Sequence, residues 1–131
     1  MINIEKGSRT DRYLGAPYKP EHSPFVLLDD SFDPLTDGIN CQTFVHFYLR
    51  DEFGVNLPRG MWSKELYEDD GEFFRRVNDE EPLLRGDLLF VGKPRTKHTR
   101  LHVGVVHQIA DLQEETIIRH ANKKDNMVSD W

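Results

Sequence analysis

The hydrophobic period of this chain changes once, near Pro82, and that change limits the architectures open to it. Upstream, Cys41, Phe44, Val45, Tyr48 and Leu49 fall at the i, i+3, i+4, i+7 and i+8 positions of an amphipathic helix. Asn40 stands where an N-cap is expected, and Gly54 with Pro58 predicts an end near Phe53. A second helix is expected within 59–70, through Met61, Trp62, Leu66 and Tyr67, ending near Gly71. Downstream, Pro82 and Gly86 bracket a turn, and strand-like runs follow at 87–91, 101–109 and 115–121. Helices followed by a strand meander imply an α+β domain. Arg12 to Gly15 reads as the end of a short helix. Residues 19–38 read as a long loop whose one stretch suited to burial is Phe25-Val26-Leu27-Leu28. The last ten residues are polar and read as a frayed tail.

The length of 131 residues fits one domain, 1–131, with one core. Fourteen aromatics (eight Phe, four Tyr, two Trp) can anchor that core despite 31% charged residues. A single cysteine excludes an intramolecular disulfide framework and every multi-cysteine zinc site, and the reading requires no metal and no organic cofactor. The net charge of −6 argues against a nucleic-acid partner. No apolar run approaches the ~18–20 residues that span a bilayer, so no membrane insertion is expected. Residues 1–10 lack the apolar region of a signal peptide. A cytoplasmic protein, or one delivered by a phage particle or by non-classical secretion, is expected. The sequence leaves the oligomeric state open.

Chemistry concentrates at Cys41 and two histidines. The unpaired N–H groups of a helix start favour an anion there. His102 and His120 lie in strand-like segments downstream, and an imidazole in reach of a thiol deprotonates it and later protonates a leaving amine. Taken alone, Cys41 reads first as a buried apolar residue of the helix face, and the histidines are what favour the nucleophile. In an antiparallel hairpin whose paired numbers sum to 222, His102 and His120 stand directly opposite and the turn centres on Asp111, within a polar connection. His107 then points to the other sheet face. The spacing His98-x3-His102 matches a helical metal pair, but 92–100 reads as loop and no third ligand is evident. His22, His46 and His107 are assigned solvated or structural roles, with His46 on the polar side of its helix. Residues 93–100 hold four bases and no acid, and so read either as a cradle for a carboxylate-bearing substrate, with Arg95 and Arg100 at the entrance, or as a solvated hairpin loop. The acidic stretch 65–81 reads as a solvated face.

Six segments, in order, resemble NlpC/P60 cysteine peptidases over roughly residues 14–122. Leu14-Gly15-Ala16-Pro17-Tyr18 resembles that family's Leu-Gly-x-Pro-Tyr, and Asn40-Cys41-Gln42-Thr43-Phe44-Val45 its Asp-Cys-Ser-Gly-Phe/Leu-Val. Phe53-Gly54-Val55-Asn56-Leu57-Pro58-Arg59 is similar to the following Tyr/Phe-Gly-Ile/Val-x-Leu-Pro-Arg. Arg85-Gly86-Asp87-Leu88-Leu89-Phe90, His102-Val103-Gly104-Val105 and Ile118-Arg119-His120-Ala121 resemble the family's Pro-Gly-Asp-Leu-Val-Phe, His-Val-Gly-Ile and Ile-His-Ala strands. The resemblance implies a papain-like α+β fold, with the nucleophile helix packed on a small antiparallel sheet. It implies Cys41 as nucleophile, His102 as base, His120 as the orienting third residue and Tyr18 near the thiol. It implies a cell-wall peptide as substrate, cut at γ-D-glutamyl-diamino-acid bonds of peptidoglycan. Asn40 for Asp, Gln42-Thr43 for Ser-Gly, and the 23-residue spacing from Tyr18 to Cys41 depart from the family pattern. The alternatives are an acyltransferase or amidase for lipid or small-molecule amides on the same fold, or a non-catalytic module that binds wall fragments or a protein.

Overall fold

The computed structural model describes residues 9–78, 80–91, 101–109 and 116–131. Its described elements are two 3-10 helices (Asp11–Tyr13 and Pro24–Leu28), helices α1 (Pro34–Asp37), α2 (Cys41–Phe53) and α3 (Ser63–Glu68), and strands β1 (Leu88–Val91), β2 (His102–Gln108), β3 (Ile117–Asn122) and β4 (Met127–Asp130). The strands form one antiparallel sheet in the order β1-β2-β3-β4. The architecture is α+β, as the change of period requires. Among the described residues no helix is long and apolar enough to cross a membrane.

Helix α2 carries the core. Phe44, Val45 and Tyr48 are fully buried and join Ile39, Val103, Val105, Ala121 and Val128 in one apolar cluster. Tyr13 of the first 3-10 helix meets Phe44 and Phe47 edge-on, at centroid separations of 6.3 and 5.6 Å. The helix stops where the sequence predicts: Gly54 takes a left-handed φ of 69° and its N–H closes on the Arg50 carbonyl. The long loop is shaped by short turns of helix, with Val26 and Leu27 packed on the core and Phe25 and Leu28 exposed.

Two of the expectations fail here. The polar tail is not frayed: residues 127–130 pair with β3, and Ile118 and Trp131 exchange both backbone hydrogen bonds at 2.8 Å. A hairpin explains why hydropathy misses this strand. Asn126 takes a positive φ of 58°, which asparagine tolerates, and Val128 is the only residue of β4 that is buried. His46, placed on the polar side of its helix, is wholly buried, because the chain around Met61 covers that side and the Met61 carbonyl meets its Nε2 at 2.8 Å.

Candidate active site

Cys41 is the first residue of α2, and the preceding loop is stapled to this helix start. Asn40 Oδ1 caps the helix by accepting from the Thr43 N–H at 2.9 Å, a contact worth about 1 kcal/mol. The Asn40 amide also donates to the Pro20 carbonyl at 3.0 Å, which an aspartate could not do. Thr43 Oγ1 donates to the His22 carbonyl at 2.7 Å, and the His22 ring meets the Gly38 carbonyl through Nδ1, also at 2.7 Å. Two of the three residues that depart from the Asp-Cys-Ser-Gly pattern, Asn40 and Thr43, therefore fasten this longer loop.

The same stapling positions Tyr18. It bridges Ile39 in parallel, with Lys19 N–H on the Ile39 carbonyl and Ile39 N–H on the Pro17 carbonyl. The backbone thus brings Tyr18 level with a residue two before Cys41, despite the long spacing. Gly38 makes the approach possible: its φ is 83°, and a Cβ there would lie 2.8 Å from the Pro17 oxygen.

Cys41 is buried, at 8% exposure. The hydrogen-bond partner of its thiol is Ser63 Oγ, the first residue of α3, at 3.8 Å. Ser63 Oγ in turn meets Gln42 Oε1 at 2.8 Å, and the Ser63 N–H reaches the same oxygen at 3.3 Å. The resting sulfur makes no hydrogen bond to His102. Ser63 lies 22 positions from Cys41, and no motif in the sequence links them.

His102 and His120 do come together. His102 Nε2 lies 2.5 Å from His120 Nδ1, with ring centroids 4.8 Å apart. They are diagonal, however, and not directly opposite. The paired residues Val105↔Arg119 and Val106↔Ile118 sum to 224, and the register shifts between Val106 and Gln108. One further step at that register sets His120 against Gly104. A Cβ on Gly104 would fall 2.8 Å from the Ile118 side chain and 3.4 Å from the His120 Cβ. The glycine thus leaves the space into which both side chains lean. The expected turn at Asp111 lies outside the described residues.

Burial pushes His102 below its ordinary value. His120 is pushed down to about 4, by burial first and by the neighbouring His102 second. Both rings are thus neutral at neutral pH, and one N–H lies between them. When His102 donates from Nε2, its Nδ1 keeps a free lone pair, and His120 must carry its proton on Nε2. That His120 Nε2 is buried and has no hydrogen-bond partner among the described residues. The indole of Trp131 stands edge-to-face on this ring at 4.1 Å, and its Nε1 donates to Asp125 at 3.0 Å. Asp125 also accepts from Ser129 and Asn122, and these hydrogen bonds, Ser129 first, hold its carboxyl below the usual carboxylate range. Sequence reasoning misses Trp131 because the polar segment that carries it reads as a tail.

The alternation argument does not carry to His107, since the irregularity in β2 falls at that residue. His107 is 2% exposed, and its Nδ1 meets the Tyr48 hydroxyl at 2.9 Å. Arg95, Arg100 and His98 lie outside the described residues. No protein-family model matches this chain, and no curated protein matches it.

Proposed function

We propose that the chain is a cysteine hydrolase of papain-like, NlpC/P60 type that cleaves an amide bond in peptidoglycan stem peptides. The observation that carries this reading is the His102–His120 pair, a neutral imidazole held by a second imidazole so that one ring nitrogen stays available. The thiol at the start of α2 supplies the nucleophile. Cys41 Sγ attacks the scissile carbonyl carbon while His102 takes the thiol proton. The imidazolium then protonates the leaving amine as the C–N bond breaks, and a thioester remains. Water, deprotonated by His102, hydrolyses the thioester and restores the thiol. His120 fixes the His102 tautomer. The Cys41 backbone N–H faces the developing oxyanion, and Tyr18, held beside Ile39, assists it.

The resting sulfur is bonded to Ser63, so its hydrogen bond to His102 forms on the way to reaction, as catalytic contacts often tighten only with substrate bound. The lipid-amide reading has less support. The apolar stretch Val26-Leu27 lines a cavity of roughly 380 Å³ with Phe32, Phe47, Arg12 and Arg50, and Cys41 is not among its walls. Incubation with purified muropeptides and mass analysis of the products tests the proposal. A new free amine at a stem-peptide bond, absent with Cys41→Ala, is the expected result. Intact muropeptides would withdraw this substrate class.

A further inference from the structure

We propose that Ser63 is a positioning residue for the Cys41 sulfur: its hydroxyl, aimed by Gln42, is a hydrogen-bond partner that reverses direction when the thiol ionises. The inference rests on the reading of Cys41 as the reacting thiol, and it assigns a role to two residues outside the Cys-His-His set.

The direction of each bond follows from counting protons. Two donors of Ser63, its N–H and its hydroxyl, converge on Gln42 Oε1 at 3.3 and 2.8 Å. That convergence identifies the amide atom as the oxygen, which only accepts. The single hydroxyl proton of Ser63 therefore points at Gln42. The face of Ser63 Oγ toward the sulfur, 3.8 Å away, is a lone pair, so in the resting state the thiol donates to Ser63. Ser63 is 7% exposed and Cys41 8%, so water competes little for either group.

Loss of the thiol proton would leave two acceptors facing each other. The hydroxyl relieves this by turning its proton onto the thiolate. A hydrogen bond to an ionised acceptor is roughly twice as strong as a neutral one. The turn also strands nothing, because Gln42 Oε1 keeps the Ser63 N–H. The exchange favours the thiolate and holds the sulfur in place in both protonation states. It also explains Gln42 beside the cysteine. Its side chain ties the first turn of α2 to the first residue of α3, so the donor to the sulfur comes from a second element that is locked to the nucleophile's own helix.

The test is iodoacetamide alkylation of Cys41 against pH, on the full chain, for wild type, Ser63→Ala and Ser63→Thr. Ser63→Ala is expected to move the midpoint of the profile up by about one unit, a tenfold change in thiolate fraction below the midpoint. The rate there falls less, about threefold, because a more basic thiolate is also more nucleophilic. Ser63→Thr, which keeps the hydroxyl, is expected to keep the wild-type midpoint. The Ser63→Ala shift is expected to persist in a His102→Ala background, since the hydroxyl acts on the sulfur and not through the imidazole. A Ser63→Ala midpoint that stays or falls would overturn the proposal, as would a threonine variant that shifts as far as alanine or a shift that vanishes without His102. Alkylation needs no substrate, so a failure here is separable from a failure to cleave muropeptides.

Discussion

Two histidines of strand β2 lead opposite lives. His107 is closed in: Nδ1 meets the Tyr48 hydroxyl at 2.9 Å, the rings cross edge-on at 5.7 Å, and Nε2 lies 3.9 Å from Asp11. Arg119, itself buried, holds Asp11 and Asp130 around it. His102 is half-buried, and the structure commits one of its nitrogens, to His120. Burial lowers the proton affinity of both rings, His107 to about 4. Neither burial nor the direction of the shift therefore separates a candidate base from a structural histidine. The separation lies in whether a ring nitrogen is left uncommitted on a half-open residue.

The sharpest way to break this contrast is substitution. His102→Ala is expected to lower kcat by about 10²–10⁴, the usual contribution of a positioned base, with little change in stability. His107→Ala is expected to keep the kcat of the folded protein but to cost about 2–4 kcal/mol, because it leaves a cavity and an unpaired Tyr48 hydroxyl. His120→Ala is expected to fall between, with a loss of kcat about tenfold smaller than that of His102→Ala, since it orients the base without transferring the proton. Steady-state kinetics beside urea unfolding decides. A His107 variant that is stable but inactive would exchange the two roles.

The second prediction treats the buried histidines alike. His46, His107 and His120 are each pushed from 6.5 down to about 4, mainly by burial. The folded form thus resists protonation that the unfolded chain accepts. Above pH ~6.5 both forms are neutral and nothing is gained or lost. Between ~6.5 and ~4 the unfolded chain binds up to three more protons, so stability falls as pH falls, by about 4 kcal/mol per unit at the steepest. Below ~4 the difference no longer grows. Urea midpoints at pH 7, 5.5 and 4.5 measure this, and His46→Gln or His107→Gln should flatten the slope by about a third. A slope unchanged in both would show that other groups set acid stability.

How much of this was legible in the sequence depends on whether a local period carried the signal. Helix α2 was readable to within a residue, because Cys41 to Leu49 repeat the helical spacing and Asn40 and Gly54 mark both ends. The histidine pair was readable as a shared sheet face. Its diagonal offset was not, because the register is set by the shift after Val106 and by the space over Gly104, neither of which alters the hydrophobic pattern. Strand β4 was missed because it buries one side chain. Ser63 could not be seen as the partner of the thiol, nor Gln42 as the partner of Ser63, since hydrogen bonds between residues some twenty apart leave no periodic trace.

The smallest effect concerns Trp131, which sets the two histidine clusters apart in a second way. His107 is sealed by Tyr48 of the core helix, whereas His120 is covered by a side chain that is itself 57% exposed. Trp131→Ala should admit water to the orphaned His120 Nε2. Burial is the main reason that His120 titrates at about 4, so its midpoint should rise toward the ordinary 6.5, by about one unit or more. Protonated on both nitrogens, His120 can no longer accept from His102 Nε2, and the tautomer that leaves His102 Nδ1 free is lost. The acid limb of the kcat profile should therefore move to higher pH by a similar amount, while the plateau near neutral pH stays at its wild-type value. Ring-proton NMR titration of His120 together with the pH profile reads both consequences. A His120 midpoint that stays at about 4 in the variant would mean that strands β2 and β3 alone keep water from the ring.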